Sequence, residues 1–425
     1  MRQDTAATLK PRVADRIDAF AEAAADMLMD LIRFPSVCGA EMGAVAYMKG
    51  ALEASGFQPA LVPMDPAIKA HPEYTPYTEE PPWEGRGNLV MDYGGHGHGR
   101  SLILNAHLDV IPAESWAGAF APQRDGDVIM GRGAADDKGG AVAGFLALSA
   151  LAACGIALSG RLSLHLVIDE ETGGNGTLAL LSQGYTADAA IVAECTGNVI
   201  CPANRGAVWF QLTTTGVSTH MGEIDKGVSA IEKANQAVAI LKEYEQYLIE
   251  NFMDHPYFRD LEHRPIQLCI GVMSAGEWPS KVPDRCDVEG GIGFLPNKDM
   301  DEVKQEMRHW IREKADDWLR DHFELRFDKL QNAAFEVPPD HPFVTCVQGV
   351  APDAGLSDAI RGWTVSCDAR LFPRVAQMPV ITVGPGRLVH AHSAQERVAL
   401  PEIVKAAKLY AFTAMAWCGV EGAGA

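Results

Sequence analysis

The run from Leu164 to Gly174, LHLVIDEETGG, constrains this chain more than any other. An apolar, strand-forming stretch drives straight into Asp169, Glu170 and Glu171 and then into glycines. Open α/β folds place their ligands where parallel strands end in such residues, at the carboxyl rim of the sheet. Two further runs share the design. Leu102 to Asp109, LILNAHLD, ends in a His-x-Asp pair, and Ala189 to Glu194, AAIVAE, ends in a single acid. Three strands delivering carboxylates and an imidazole to one edge make a site for a hard cation, and the chain reads as a metalloenzyme.

Size allows such a sheet and more. The 425 residues exceed what one core usually supports, so two domains are expected. With 36 basic against 56 acidic residues the formal charge is −20, which argues against nucleic acid or an anionic membrane as partner. The nine cysteines are scattered without a Cys-x-x-Cys pair, as befits buried thiols in a reducing compartment. Residues 13–31 are interrupted by Asp15, Arg16, Asp18, Glu22 and Asp26. Their apolar residues recur at helical spacing, so an amphipathic helix is expected there and not a signal peptide. No stretch approaches the roughly 20 apolar residues of a membrane span. The expected location is cytoplasmic.

Helical and strand patterns alternate from about residue 12 to 205. Helices are expected near 14–33, 43–56 and 140–154, and strands near 101–106, 161–168 and 189–194, which implies an α/β layer structure. Around residue 206 the texture changes. A strand at 207–216, a helix at 228–253, strands near 267–274 and 285–295, a charged helix at 300–320 and a strand at 323–328 follow in turn. That β-α-β-β-α-β order is a ferredoxin-like unit. Residues 363–372 and 380–383 return to short buried strands, and a last helix spans about 401–417. The expected organisation is a catalytic α/β domain with a mixed central sheet, in two parts (1–205 and 332–425), interrupted by an insert at 206–331. The Gly- and His-rich stretch 94–99 reads as a turn.

His107 and Asp109 are two residues apart, so on a strand they share a face. A metal-bound imidazole commonly donates its other N–H to a carboxylate, and Asp109 is placed to accept it. The loop from Gly131 to Gly140, GRGAADDKGG, leads into an apolar helix. An N-cap would explain one aspartate there, but the many small residues suit tight backbone packing around a bound ion. Glu170 and Glu171, adjacent, point in different directions, so one can bind metal while the other faces substrate. Glu194 would be costly to bury unpaired; Cys195 beside it is expected to pack. Near the C-terminus the stretch from Gly384 to Glu396, GPGRLVHAHSAQE, supplies His390 or His392.

These segments occur together in the order found in the M20 family of metallopeptidases and deacylases, and the chain most resembles the acetylornithine deacetylase and succinyl-diaminopimelate desuccinylase group. The matching pieces are Asn105 to Pro112, Gly131 to Gly140, Asp169 to Gly173, Ala193 to Gly197 and Ala391 to Glu396. The resemblance spans nearly the whole chain, including the insert, which in that family is a lid. It implies two divalent metal ions, one held by Glu171 and His392, the other by His107 and Glu194, with Asp136 bridging. It also implies Glu170 as general acid/base, Asp109 as the partner of His107, and a cis peptide after Asp136. The position of Glu396 favours His392 over His390. His220, in the segment from Val217, resembles a lid histidine that reaches an active site from the partner subunit of a homodimer. Arg370 resembles an arginine that binds a substrate carboxylate.

Gln395 stands where the family commonly has Asp, Asp137 where it often has Met, Gly291 where related lids often carry Arg, and Ser280 where desuccinylases have Asn. The last two positions belong to substrate recognition. Without metal the three ligand carboxylates repel, by roughly 4 kcal/mol per pair at ~4 Å and an effective dielectric of ~20. Oxygen and imidazole ligands suit zinc and allow cobalt or manganese. The expected reaction is hydrolysis of the amide bond of a small N-acyl amino acid or related N-acyl amine by a metal-held water. A dipeptidase or carboxypeptidase of the same family is the alternative. A metal-binding protein without catalysis is a second one, which the presence of Glu170 disfavours.

Overall fold

In the computed structural model, which describes residues 6–95, 98–113, 116–259, 261 and 264–421, the three acid-ended runs lie side by side. Leu102–His107 pairs in parallel with Arg161–Val167 on one side and with Ala189–Val192 on the other. Val380–Thr382 continues the parallel set beyond Ala189–Val192. Gly87–Gly94 joins the far edge of Arg161–Val167 antiparallel, and Ala60–Pro63 pairs antiparallel with it in turn, so the sheet is mixed. All six residues of Leu102–His107 are buried. Successive side chains of a strand point to opposite faces, so both faces of this one are covered.

Helices supply the cover. Lys138–Ala153 packs on the Leu102–His107 strand and on the helix Leu400–Cys418. It is apolar on nearly every side, as a helix wedged between sheet and helix must be. At Gly144 a Cβ would come within 2.8 Å of the Leu164 side chain, so that position keeps helix and sheet close. Asn175–Ser182 packs against Gly87–Gly94 and the short helix Leu371–Ala376.

The chain divides into two compact units. One comprises Met1–Pro202, Val337–Trp363 and Cys367–Ala425; the other comprises Ala203–Glu336 with Thr364–Ser366. In the second unit an antiparallel sheet runs in the order Leu268–Ala275, Arg285–Phe294, Gly206–Thr215, Phe323–Arg326. With the helices Ala230–Phe252 and Met300–Lys314 this is a β-α-β-β-α-β arrangement. The first helix forms because Ala230, Ala234, Ala237, Leu241, Tyr244 and Leu248 recur on one buried face, and Ser229 caps it by accepting from the Glu232 N–H at 3.4 Å.

Three expectations need correction. Residues 14–33 are two helices, Ala6–Ala19 and Ala21–Ile32, separated at Phe20. The charged helix ends at Lys314, and Asp316 caps a separate turn, Asp317–Asp321, through the Leu319 N–H at 2.8 Å. The strand expected over 363–372 covers only Ile360–Trp363; Asp368–Arg370 is a 3-10 turn and Leu371–Ala376 a helix. Pro373 explains the last, since it lacks the N–H that a ladder needs and is tolerated in a first helical turn. Of the expected turn at 94–99, His96 and Gly97 lie outside the described residues.

Candidate metal centre

His107 is the last residue of its strand and is buried. Its Nδ1 lies 3.0 Å from the main-chain carbonyl of Asp109 and 3.6 Å from the Asp109 carboxylate. The expected His–carboxylate hydrogen bond is therefore made chiefly to the backbone, which fixes Nε2 as the atom turned to the site. That atom stands 3.0 Å from Asp136 Oδ1. The Asp109 carboxylate accepts instead from the main-chain N–H groups of Glu170 at 3.2 Å and Glu171 at 3.0 Å. One aspartate thus ties the end of the first strand to the turn after the second.

The loop carrying Asp136 is held by three buried groups. Glu396 accepts from the N–H groups of Ala135 at 3.1 Å and Asp136 at 3.2 Å, and its other oxygen pairs with Arg132. Lys138 turns away from the acids, donating to the carbonyls of Leu31 at 3.1 Å and Phe34 at 2.8 Å. Burial lowers its pKa to about 7. The Asp136–Asp137 peptide is cis.

His392 completes the set, in the left-handed region at φ 56°. Its Nε2 lies 3.0 Å from Glu171 Oε2 and 3.3 Å from Asp136 Oδ2. Three overlapping groups result, in each of which the ligand atoms lie within 4.8 Å of one another: Asp136, Glu171 and His392; His107, Glu170 and Glu194; Asp136, Glu194 and Cys195. All five residues expected as metal ligands fall in this constellation, and His392, not His390, is the C-terminal member. Glu170 and Glu171 diverge into different groups.

The electrostatics are those of a site short of positive charge. Burial, with Asp136 and Glu170 nearby, pushes Glu194 well above the ordinary carboxylate range. Burial and the Asp136 charge raise Glu171 to about 6, against the pull of His392. Burial also raises Glu170 well above its ordinary value, partly offset by His107 and reinforced by Asp368, Glu171 and Asp109. The imidazoles respond in the opposite sense. Hydrogen bonds to Asp136 and Glu171 raise His392 to about 10, and His107 is raised although burial alone would lower it. Asp136 goes the other way, held against burial below the ordinary carboxylate range by His107 and His392. Glutamates reluctant to ionise beside imidazoles reluctant to lose their protons are the condition that divalent cations relieve. The oxygen and imidazole donor set fits such ions.

Several features were not legible beforehand. Cys195 is buried, as expected of a packing residue, and its Sγ also lies within 4.8 Å of ligand atoms of Asp136 and Glu194. The strand stops at Val192, so residues 194 and 195 lie beyond it. Burial, Asp136 and Glu194 raise its pKa well above the ordinary thiol value, so it stays protonated. Arg370, expected to meet a substrate, is 1% exposed; it donates to the Gly173 carbonyl at 2.9 Å and pairs with Glu73 at 3.5 Å. It braces the turn after Glu171 from inside. Asp368 accepts from the Thr177 hydroxyl in the same brace. His220 stands in the second unit, exposed, its Nδ1 accepting from the Gly222 N–H at 3.1 Å.

Residues 103–416 match Peptidase family M20/M25/M40. The chain belongs to that family. It is similar to an N-formyl-4-amino-5-aminomethyl-2-methylpyrimidine deformylase of Bacillus subtilis, with 29% identity over 347 residues, 75% of this chain and 79% of the relative. It is similar also to an acetylornithine deacetylase of Myxococcus xanthus, with 26% identity over 348 residues, 78% of this chain and 84% of the relative. Among solved structures it shares its fold with a dinuclear metal binding peptidase of the M20 family from Bacillus subtilis, at a TM-score of 0.65 and 15% identity, covering 93% of this chain and 98% of that one. Membership makes this chain a metal-dependent hydrolase of amide bonds. Among the described residues no helix is long and apolar enough to cross a membrane.

Proposed function

We propose that this protein removes a small acyl group, such as formyl, acetyl or succinyl, from an N-acyl amine or N-acyl amino acid, with Glu170 as general acid/base. The observation that carries the reading is the divergence of the adjacent glutamates, Glu171 toward Asp136 and His392, Glu170 toward His107 and Glu194. Two divalent cations, zinc in this reading, would be held by His107, Asp136, Glu171, Glu194 and His392, where they polarise the scissile carbonyl and make water acidic enough to attack near neutral pH. Glu170 takes the proton of the attacking water on a carboxylate oxygen and delivers it to the amide nitrogen as the C–N bond breaks. A raised pKa suits that return step, because a weakly acidic carboxyl holds the proton until the amine leaves. Asp109 keeps Glu170 and Glu171 in place through their main-chain N–H groups. The nine free cysteines support a cytoplasmic setting.

The test is a panel of N-formyl, N-acetyl, N-succinyl and dipeptide substrates offered to the zinc-loaded protein. Acyl amines should be turned over and dipeptides should not; turnover of dipeptides alone would make the protein a peptidase. Glu170→Gln should cut kcat by about 100-fold or more, since an amide cannot shuttle a proton, while metal content and unfolding temperature stay as in the parent.

His220 is proposed to meet the developing oxyanion of a neighbouring subunit in a homodimer formed through the second units. His220→Ala should then lower kcat by about 100-fold with KM nearly unchanged. Mixing it with Glu170→Gln should recover part of the activity in mixed dimers. A fully active monomer would exclude this role.

A further inference from the structure

Asp169 opens the catalytic turn but belongs to none of the three overlapping groups around Asp136 and Glu194; its ligand atoms lie instead beside those of Cys38 and Glu41. Its side chain is fully buried and turned the other way, into a pocket formed by distant segments of the chain. One oxygen accepts from Arg86 and lies 3.4 Å from the Cys38 thiol; the other accepts from the Tyr77 hydroxyl at 2.7 Å. Arg86, 3% exposed, is shared with Glu41, to which its Nε donates at 3.2 Å. Glu41 in turn accepts from the Gly39 N–H at 2.8 Å. The cluster therefore carries its own cation.

The backbone shows what the anchor does. Asp169 sits at φ 64°, a left-handed conformation that costs a non-glycine residue on the order of 1–3 kcal/mol. Its carbonyl accepts from the Gly174 N–H at 2.8 Å, closing the turn. Reversing the chain at that point presents the N–H groups of Glu170 and Glu171 together to the Asp109 carboxylate, at 3.2 and 3.0 Å. With both amides fastened to one group, the two side chains leave the turn in different directions. Asp109 holds the turn from the front and Asp169 from behind.

We propose that Asp169, clamped by Arg86 and Tyr77, is a positioning residue that separates Glu170 from Glu171 and so sets both the proton-transfer geometry and the affinity of the metal position that Glu171 serves. The part concerning catalysis rests on the proposed amide hydrolysis; the part concerning metal affinity does not. Asp169→Asn removes the charge that Arg86 grips while keeping a side chain that tolerates the left-handed region. Asp169→Gly adopts that φ freely but has nothing to grip. Tyr77→Phe removes only the hydroxyl that donates to Asp169, from a half-buried side chain, and is expected to fold like the parent.

The experiment is calorimetric titration of the metal-free full-length chain with zinc, alongside kcat and KM on any substrate the parent turns over. Asp169→Asn and Asp169→Gly should weaken one zinc position by about 10–100-fold, the usual consequence of losing a group that orients a ligand, and leave the other within about threefold. Over the same variants kcat should fall by on the order of 100-fold, as for a misplacement of about 1 Å, with KM nearly constant. Tyr77→Phe should move both quantities in the same directions by a smaller factor. A parent that binds two zinc ions but turns over none of the panel would remove the catalytic reading while leaving the titration decisive. The proposal is overturned if both zinc positions keep parental affinity in folded Asp169→Asn and Asp169→Gly. Should those two fail to fold, parental zinc affinities in Tyr77→Phe overturn it instead.

Discussion

Two groups that include acids lie beyond the end of the Arg161–Val167 strand, and by geometry alone each resembles a metal site. Cys38, Glu41 and Asp169 bring their ligand atoms within 4.8 Å of one another, as do Asp136, Glu171 and His392. What separates them is the source of positive charge. Arg86 lies between Glu41 and Asp169 and pairs with both. The ion pairs of Asp136 and Glu171 run to His107 and His392, whose charge is conditional on protonation. A guanidinium cannot be deprotonated in a protein, so the first group keeps a fixed cation, although burial and the Asp169 charge still raise Glu41. The second satisfies its carboxylates only by keeping protons on imidazoles, and a divalent cation would replace them. A cluster of ligating side chains thus says little until the protein's own cations are counted.

The sharpest break between the two groups should come from removing that cation. Arg86→Met leaves Glu41 and Asp169 buried and uncompensated, a change expected to cost about 3–5 kcal/mol in unfolding free energy by denaturant titration. On the other side, Glu194→Gln should leave the metal-free protein as stable as before or more so, because it removes one of several mutually repelling buried acids, and it should weaken zinc binding. If Arg86→Met proved harmless, or Glu194→Gln strongly destabilised the metal-free chain, the distinction would collapse.

The legible and illegible parts of the sequence follow the same division. The strands leading to His107, Glu171 and Glu194 could be read because apolar runs stopping abruptly at acids are local patterns, and the α/β sheet follows from their alternation with helices. Family resemblance then selected His392 from an ambiguous pair and supplied Asp136 from a loop that an N-cap explained almost as well. Arg86 and Tyr77 were not legible. They lie in a Pro- and aromatic-rich connection between Pro63 and Gly87, and nothing local marks them as partners of a residue more than eighty positions later. Arg370 was reached only through the family resemblance, and nothing local shows that it packs against Glu73 and the Gly173 carbonyl.

The smallest expected effect is also the one that reads the two groups against each other without a mutation. In the metal-free chain Glu171 is raised from 4.5 to about 6 and His392 from 6.5 to about 10. Across that range the folded state binds more protons than the unfolded state, so stability falls as pH rises. The contribution of His392 is complete below about 6.5 and is lost as pH climbs through about 10. That of Glu171 is lost earlier, as pH climbs through about 6. Glu170 and Glu194, also raised, act in the same sense. The His392 side chain is about half exposed, so solvent screening keeps its share small. Zinc requires deprotonated ligands, so its stabilisation grows with pH, reaching about 2.7 kcal/mol at a free concentration 100 times Kd. The unfolding temperatures of metal-free and zinc-loaded protein, measured at pH 6, 7.5 and 9 at fixed free zinc, should therefore diverge with rising pH, the metal-free value falling. A metal-free unfolding temperature that rose across this window would mean that the acids around Asp136 are held ionised by fixed positive charge, and the contrast with the Arg86 group would fail.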